Sequence, residues 1–202
     1  MAEKLFCDST VEMLRRDRMH TKDIATVLDR LTRRLNEAGI PFALIGALAM
    51  RHHGYVRHTE DIDLLTTPEG LDAIHEQFVG RGMLPRARGL RKKLRETEHK
   101  VDVDVITTGE HAGSQESPVV YPHPSGKAFK LVDGRNVPTL PLLIAFKIGS
   151  GVWGRRNKDL GDVQELIKAN RLTRAFARKL APPLRATFLQ LLDDVAHEIE
   201  IE

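Results

Sequence analysis

Cysteine is nearly missing from this chain: Cys7 is alone among 202 residues. A single thiol closes no internal disulfide and builds no cysteine zinc site, which excludes disulfide-stapled scaffolds and agrees with a reducing compartment. Long apolar runs are also missing, and nothing approaches the ~20 residues that cross a bilayer. The opening stretch MAEKLFCDST lacks the charged-then-apolar order of a secretion signal. Internal repeats and low-complexity tracts are missing too, so solenoids and biased tails drop out. Together these absences lead to the expectation of a cytoplasmic protein without a membrane partner.

What is present is ordinary globular material, with 41% hydrophobic and 29% charged residues. The length suits one core domain with a small helical appendage. The net charge of +3 is a mild excess of base, too small to declare a nucleic-acid binder by itself. Basic residues do gather in RARGLRKKLR (86–95), at Arg155, Arg156 and Lys158, and across 174–179. Such clusters can follow a phosphate chain, and they serve equally well as solvated faces.

Residues 21–38 place Ile24, Val27, Leu28, Leu31 and Leu35 at helical spacing, with Gly39 as a stop. Residues 42–45 read as a short apolar strand, Gly46 as a turn, and ALAMRHH as a helix of small residues ending at Gly54. Residues 61–66 form a second strand, and Pro68 opens another helix. The stretch 83–100 is ambiguous, with strand pieces around a basic run. VDVDVI (101–106) is a strand of period 2, and 110–127 is a polar loop. Strand pieces at 129–132 and 135–137 follow, then helices over 140–148, 158–168 and 184–199. The expectation is an α/β (α+β) core over residues 1–138 and a helical region over 139–202.

The chemistry concentrates in RHTEDIDLL (57–65). In a strand, residues i and i+2 share a face, so Asp61 and Asp63 project together while Ile62 and Leu64 anchor the other side. Two adjacent like charges beside a packed face are costly unless a cation neutralises them, and hard carboxylate oxygens suit Mg²⁺ or Mn²⁺. An edge strand with a wet outer face explains an arbitrary D-x-D as well. Three neighbours weigh against that here: the strand, turn and helix FALIGALAM, where Gly46 and Ala47 let a phosphate approach backbone N–H groups; Arg57 and Thr59 leading into the acidic strand; and a second acidic strand, VDVDVI.

With those residues in place, IGALAMRHHGYVRHTEDIDLL resembles the nucleotidyltransferase superfamily of the DNA polymerase beta-like fold, in particular the minimal AbiEii/AbiGii-toxin type. Arg57, Thr59, Asp61 and Asp63 fall on that family's R-x-T-x-D-h-D positions. The likeness continues through VDVITTGEHAG, LLIAFKI and NKDLGDVQELI, covering roughly residues 40–170. It implies a mixed β-sheet flanked by helices, with Asp61, Asp63 and a third acid holding the metal. Asp104 is the acid the resemblance favours, and Asp102 is the alternative. It also implies nucleotide contacts from Gly46, Ala47, Arg57, Thr59, Lys147, Lys158 and Asp159. At Ala47 the family usually has Gly or Ser, so a weakened phosphate contact is the expectation.

The activity implied is transfer of a nucleoside monophosphate from an NTP to an RNA, such as tRNA, or to a protein hydroxyl, with pyrophosphate released. The toxin-type resemblance adds a cognate antitoxin as partner. A catalytically silent nucleotide-binding relative acting through a protein partner is the alternative, and a D-x-D glycosyltransferase ranks below both because the chain ahead of FALI is too short for a nucleotide-sugar domain. Other signals carry less. GSGVWG spells a dinucleotide fingerprint but follows a helix pattern instead of a strand. An EF-hand starting at Asp61 fails at Thr66 and Asp72. His52, His53 and His58 lack metal-ligand spacing. Trp153 sits in what reads as a glycine-rich link between helices, where it packs a core or stacks on a base.

Overall fold

The computed structural model describes residues 21–201, and Cys7 lies outside them. The chain divides into two compact units. The first runs through His52 and takes in Val56–Thr108 and His123–Pro138.

Helix α1 (Thr21–Glu37) forms on the apolar stripe read from the sequence, and Ile24, Val27, Leu28, Leu31 and Leu35 are all buried. Its polar side is tied down by Arg135, whose buried guanidinium donates to Thr32 Oγ1 at 2.7 Å and to Asp29 Oδ1 at 2.5 Å. Strand β1 (Phe42–Leu44) leads into α2 (Gly46–Arg51), and β2 (Asp61–Thr66) leads into α3 (Pro68–Phe78). The start of α3 is capped by Thr67, whose Oγ1 accepts from the Gly70 N–H at 3.0 Å, with Pro68 in the first turn.

Five further strands follow: β3 (Met83–Pro85), β4 (Lys93–Glu96), β5 (Asp102–Thr107), β6 (Phe129–Val132) and β7 (Arg135–Pro138). They complete a seven-stranded sheet in the order β3-β4-β5-β2-β1-β7-β6. The sheet is mixed: β2 runs parallel to β5, and β1 parallel to β7, while the other pairs are antiparallel. Period-2 alternation decides which face is core. Ile62, Leu64, Val103 and Val105 are buried, and the acids between them are only partly covered.

The second unit holds His53–Tyr55, Gly109–Pro122 and the chain from Thr139 onward. Its helices are α4 (Leu140–Trp153), α5 (Asn157–Asn170) and α6 (Pro182–Ile201), with a 3₁₀ turn at Arg174–Lys179. Helix α4 corrects the sequence expectation, because it continues through the glycines instead of ending near residue 148. A Cβ on Gly149 would stand 2.9 Å from Ala112 Cβ, and one on Gly151 would stand 2.7 Å from Leu160 Cγ. Glycine here allows close packing and does not break the helix. Trp153 is therefore the last residue of α4, half-buried, and not part of a glycine-rich link between helices. Phe146 of the same helix packs against Tyr121 of the 109–122 strip, with ring centroids 4.5 Å apart. Among the described residues no helix is long and apolar enough to cross a membrane.

Candidate metal and nucleotide site

The parallel register of β2 and β5 sets Asp61 beside Asp102 and Asp63 beside Asp104. Four acids thus share one sheet face, and hydrogen bonding separates their roles. Asp102 is held by Arg95, which donates from Nε at 2.6 Å and from a terminal nitrogen at 3.0 Å, and Arg86 stands 3.2 Å away. The Arg95 hydrogen bonds outweigh the cost of burial and, with the charges of Arg86, Arg95 and Lys93, hold the Asp102 carboxyl below the usual carboxylate range.

Asp61, Asp63 and Asp104 form the other group: one carboxylate oxygen from each lies within 4.8 Å of the others. The Thr59 hydroxyl donates to Asp61 Oδ1 at 2.5 Å and fixes that side chain's orientation. Asp104 receives the ammonium of Lys93 on Oδ2, while its Oδ1 is buried without a hydrogen-bond partner. A buried carboxylate oxygen with no donor, next to two more carboxylates, fits a divalent cation. All three donors are hard oxygens, the set that Mg²⁺ and Mn²⁺ take.

The bend at Gly46 is built against this group. The Ile45 N–H donates to the Asp63 carbonyl at 3.0 Å, tying the turn to β2. Gly46 has φ +65°, and a Cβ there would lie 2.7 Å from Asp63 Cγ and 2.9 Å from Asp63 Cβ. The position therefore demands glycine twice, for its backbone angle and for the space that the Asp63 carboxylate occupies. Ala47, next in the chain, is buried at the start of α2. Arg57 is half-buried and donates to the His58 carbonyl at 3.3 Å, and its own carbonyl accepts from the buried Arg51 at 3.2 Å.

The remaining residues expected at the site belong to the second unit. Lys147 is buried and donates at 2.7 Å to both Asp159 and Asp162, and Ser150 donates to Asp159 at 2.7 Å. Burial pushes the Asp159 carboxyl up, but the Lys147 charge, the Lys147 and Ser150 hydrogen bonds and the Arg156 charge together outweigh it and leave it below its usual value. This buried network accounts for Lys147 and Asp159 as packing partners of α4 and α5. Lys158 is exposed on α5.

Sequence reasoning missed Lys93 and Arg95 as neighbours of the acids. The signal was present, since KLRE alternates charge in the same period as DVD, and the antiparallel ladder places Lys93 opposite Asp104 and Arg95 opposite Asp102. A second acidic group, Glu96, Glu98 and His99, already has a cation: Arg30 stands 3.3 Å from Glu96 and 2.5 Å from Glu98.

No protein-family model matches the chain, and no curated protein matches it in sequence. Among solved structures it is similar to the antibiotic-resistance factor ANT(2'')-Ia, for which substrate-regulated conformation dynamics are described. The TM-score is 0.51 at 18% identity, over 91% of this chain and 100% of that one. This is a likeness of fold. It bears out the nucleotidyltransferase-like mixed sheet flanked by helices that the sequence resemblance implied.

Proposed function

We propose that the chain is a divalent-metal-dependent nucleotidyltransferase that moves a nucleoside monophosphate from an NTP to an acceptor hydroxyl. The observation that carries this reading is the convergence of Asp61, Asp63 and Asp104 against the Gly46 bend. The fold likeness supports the general class.

In this reading Asp61, Asp63 and Asp104 hold Mg²⁺ or Mn²⁺, which when bound neutralises the triphosphate and polarises the attacking hydroxyl. The protein's own work is placement and charge balance. Gly46 and Ala47 keep side chains out of the way where phosphate approaches the backbone. Thr59 keeps Asp61 turned toward the site. The acceptor oxygen forms its bond to the α-phosphorus as the bond to pyrophosphate breaks, and Asp104 takes the hydroxyl proton. Arg57 is the side chain we assign to phosphate contact.

For the acceptor we propose an RNA 3′ end, such as that of tRNA, ahead of a protein hydroxyl. Support comes from the seven basic residues in the stretch 86–100, against two acidic ones, part of which forms β4 beside the acids. The toxin-type resemblance supports pairing with a cognate antitoxin. The deciding experiment incubates the protein with each labelled NTP, Mg²⁺ or Mn²⁺ and total cellular RNA. Labelled RNA and pyrophosphate are expected, and Asp63→Ala should abolish both while its circular dichroism stays that of the parent. Full turnover by folded Asp63→Ala would refute the assignment.

A further inference from the structure

Strand β4 lies antiparallel to β5 with Lys93 directly opposite Asp104. Opposed residues of such a pair project from the same face, so the Lys93 ammonium stands on the face that carries the three acids, and it closes on Asp104 Oδ2. We propose that Lys93 is the resident counter-cation of the acid trio. It neutralises Asp104 until a divalent ion arrives, is then displaced, and turns its ammonium toward the phosphates of the incoming substrate. The proposal rests on the metal-dependent reading above and assigns that site a further substrate-binding residue.

Three carboxylates with oxygens within 4.8 Å cannot all stay ionised cheaply without a nearby cation. A lysine meets that need reversibly, because its ammonium is a point charge on a flexible four-carbon stem. The side chain is 47% exposed, so the stem has room to swing. Its neighbour Arg95 differs, since two hydrogen bonds lock that guanidinium to Asp102. Once a divalent ion sits on Asp104, like charge repels the ammonium. Beside it, where β3 and β4 lie, is an open groove of about 570 Å³ lined by Leu84, Pro85, Arg86, Arg95, Thr97 and Lys100. That size falls within the range of ligand clefts, about 300–1,000 Å³.

The test titrates Mn²⁺ by calorimetry into the parent, Lys93→Met, Lys93→Arg and Asp63→Ala proteins without nucleotide, and then measures KM for NTP. Removing a unit charge a few ångström from the ion should tighten Mn²⁺ binding in Lys93→Met by roughly tenfold. The same variant should show a raised KM for NTP. Lys93→Arg should behave as the parent in both. If the parent shows Mn²⁺ binding that Asp63→Ala removes, but Lys93→Met binds no tighter, the role of Lys93 is overturned and the metal site stands. Tighter binding in Lys93→Arg as well as in Lys93→Met also overturns it, because the effect would then not be one of charge. Absence of Asp63-dependent binding in both the parent and Lys93→Met overturns the metal reading together with this one.

Discussion

At the scale of single residues, the site depends on one missing methyl group. Gly46→Ala would place a Cβ in the Asp63 carboxylate and force alanine to φ +65°. Strain of this kind costs about 1–3 kcal/mol. We expect a lowered melting temperature in a protein that still folds, with turnover reduced about a hundredfold, the penalty of displacing a reacting group by about 1 Å. Kinetics beside a thermal melt would check both. The third acid makes the opposite point about legibility. Period 2 puts Asp102 and Asp104 on one face, so spacing alone leaves them equivalent. Only the cross-strand partners separate them, because Arg95 and Arg86 take Asp102 while Asp104 keeps a buried oxygen free. Asp102→Asn should therefore keep turnover where Asp104→Asn loses it. Asp102 is depressed in the fold, so its contribution is present above its unfolded pKa of about 4 and is lost as the pH falls through the folded value. At pH 7 the substitution should cost about 1 kcal/mol, the scale of a surface pair. The cost should vanish in acid unfolding measured below that range.

At the scale of elements, the helices and strands with clean periodicity were readable from the sequence: α1, β2, α3 and β5 lie where the apolar spacing put them. Strands β3 and β4 were obscured because they are only three and four residues long and carry Pro85, Lys93, Arg95 and Glu96, and their pairing comes from the neighbouring ladder more than from their own pattern. Helix α4 was cut short in the sequence reading because Gly149 and Gly151 look like breakers when tertiary contacts are unknown. Those contacts are also where α4 and α5 meet around Lys147. Lys147→Met should take from the buried Asp159 and Asp162 the ammonium they share, leaving Arg156 3.2 Å from Asp159, and cost about 3 kcal/mol, the low end for a broken buried pair. Replacing all three by apolar residues of similar size should recover most of that loss. Denaturant unfolding of the single and triple variants decides the point.

At the scale of the whole molecule, the charge is modest at +3 and unevenly spread. If RNA lies across the β3–β4 end of the sheet, its affinity should fall linearly as log salt rises, with a slope that counts the phosphates neutralised. Reversing charge with Arg86→Glu should flatten that slope, and filter binding from low to moderate salt would show it. The path of the chain has its own consequence. His53–Tyr55 and Gly109–Pro122 belong with the later helices although each is flanked by sequence of the sheet unit, and Asn170 donates to the His53 carbonyl at 2.7 Å. Neither half is a continuous length of gene. A recombination event that carried off the sheet alone would leave the 109–122 strip without Phe146 and Gly149 to lie on. No single cut in the chain would therefore release either unit whole.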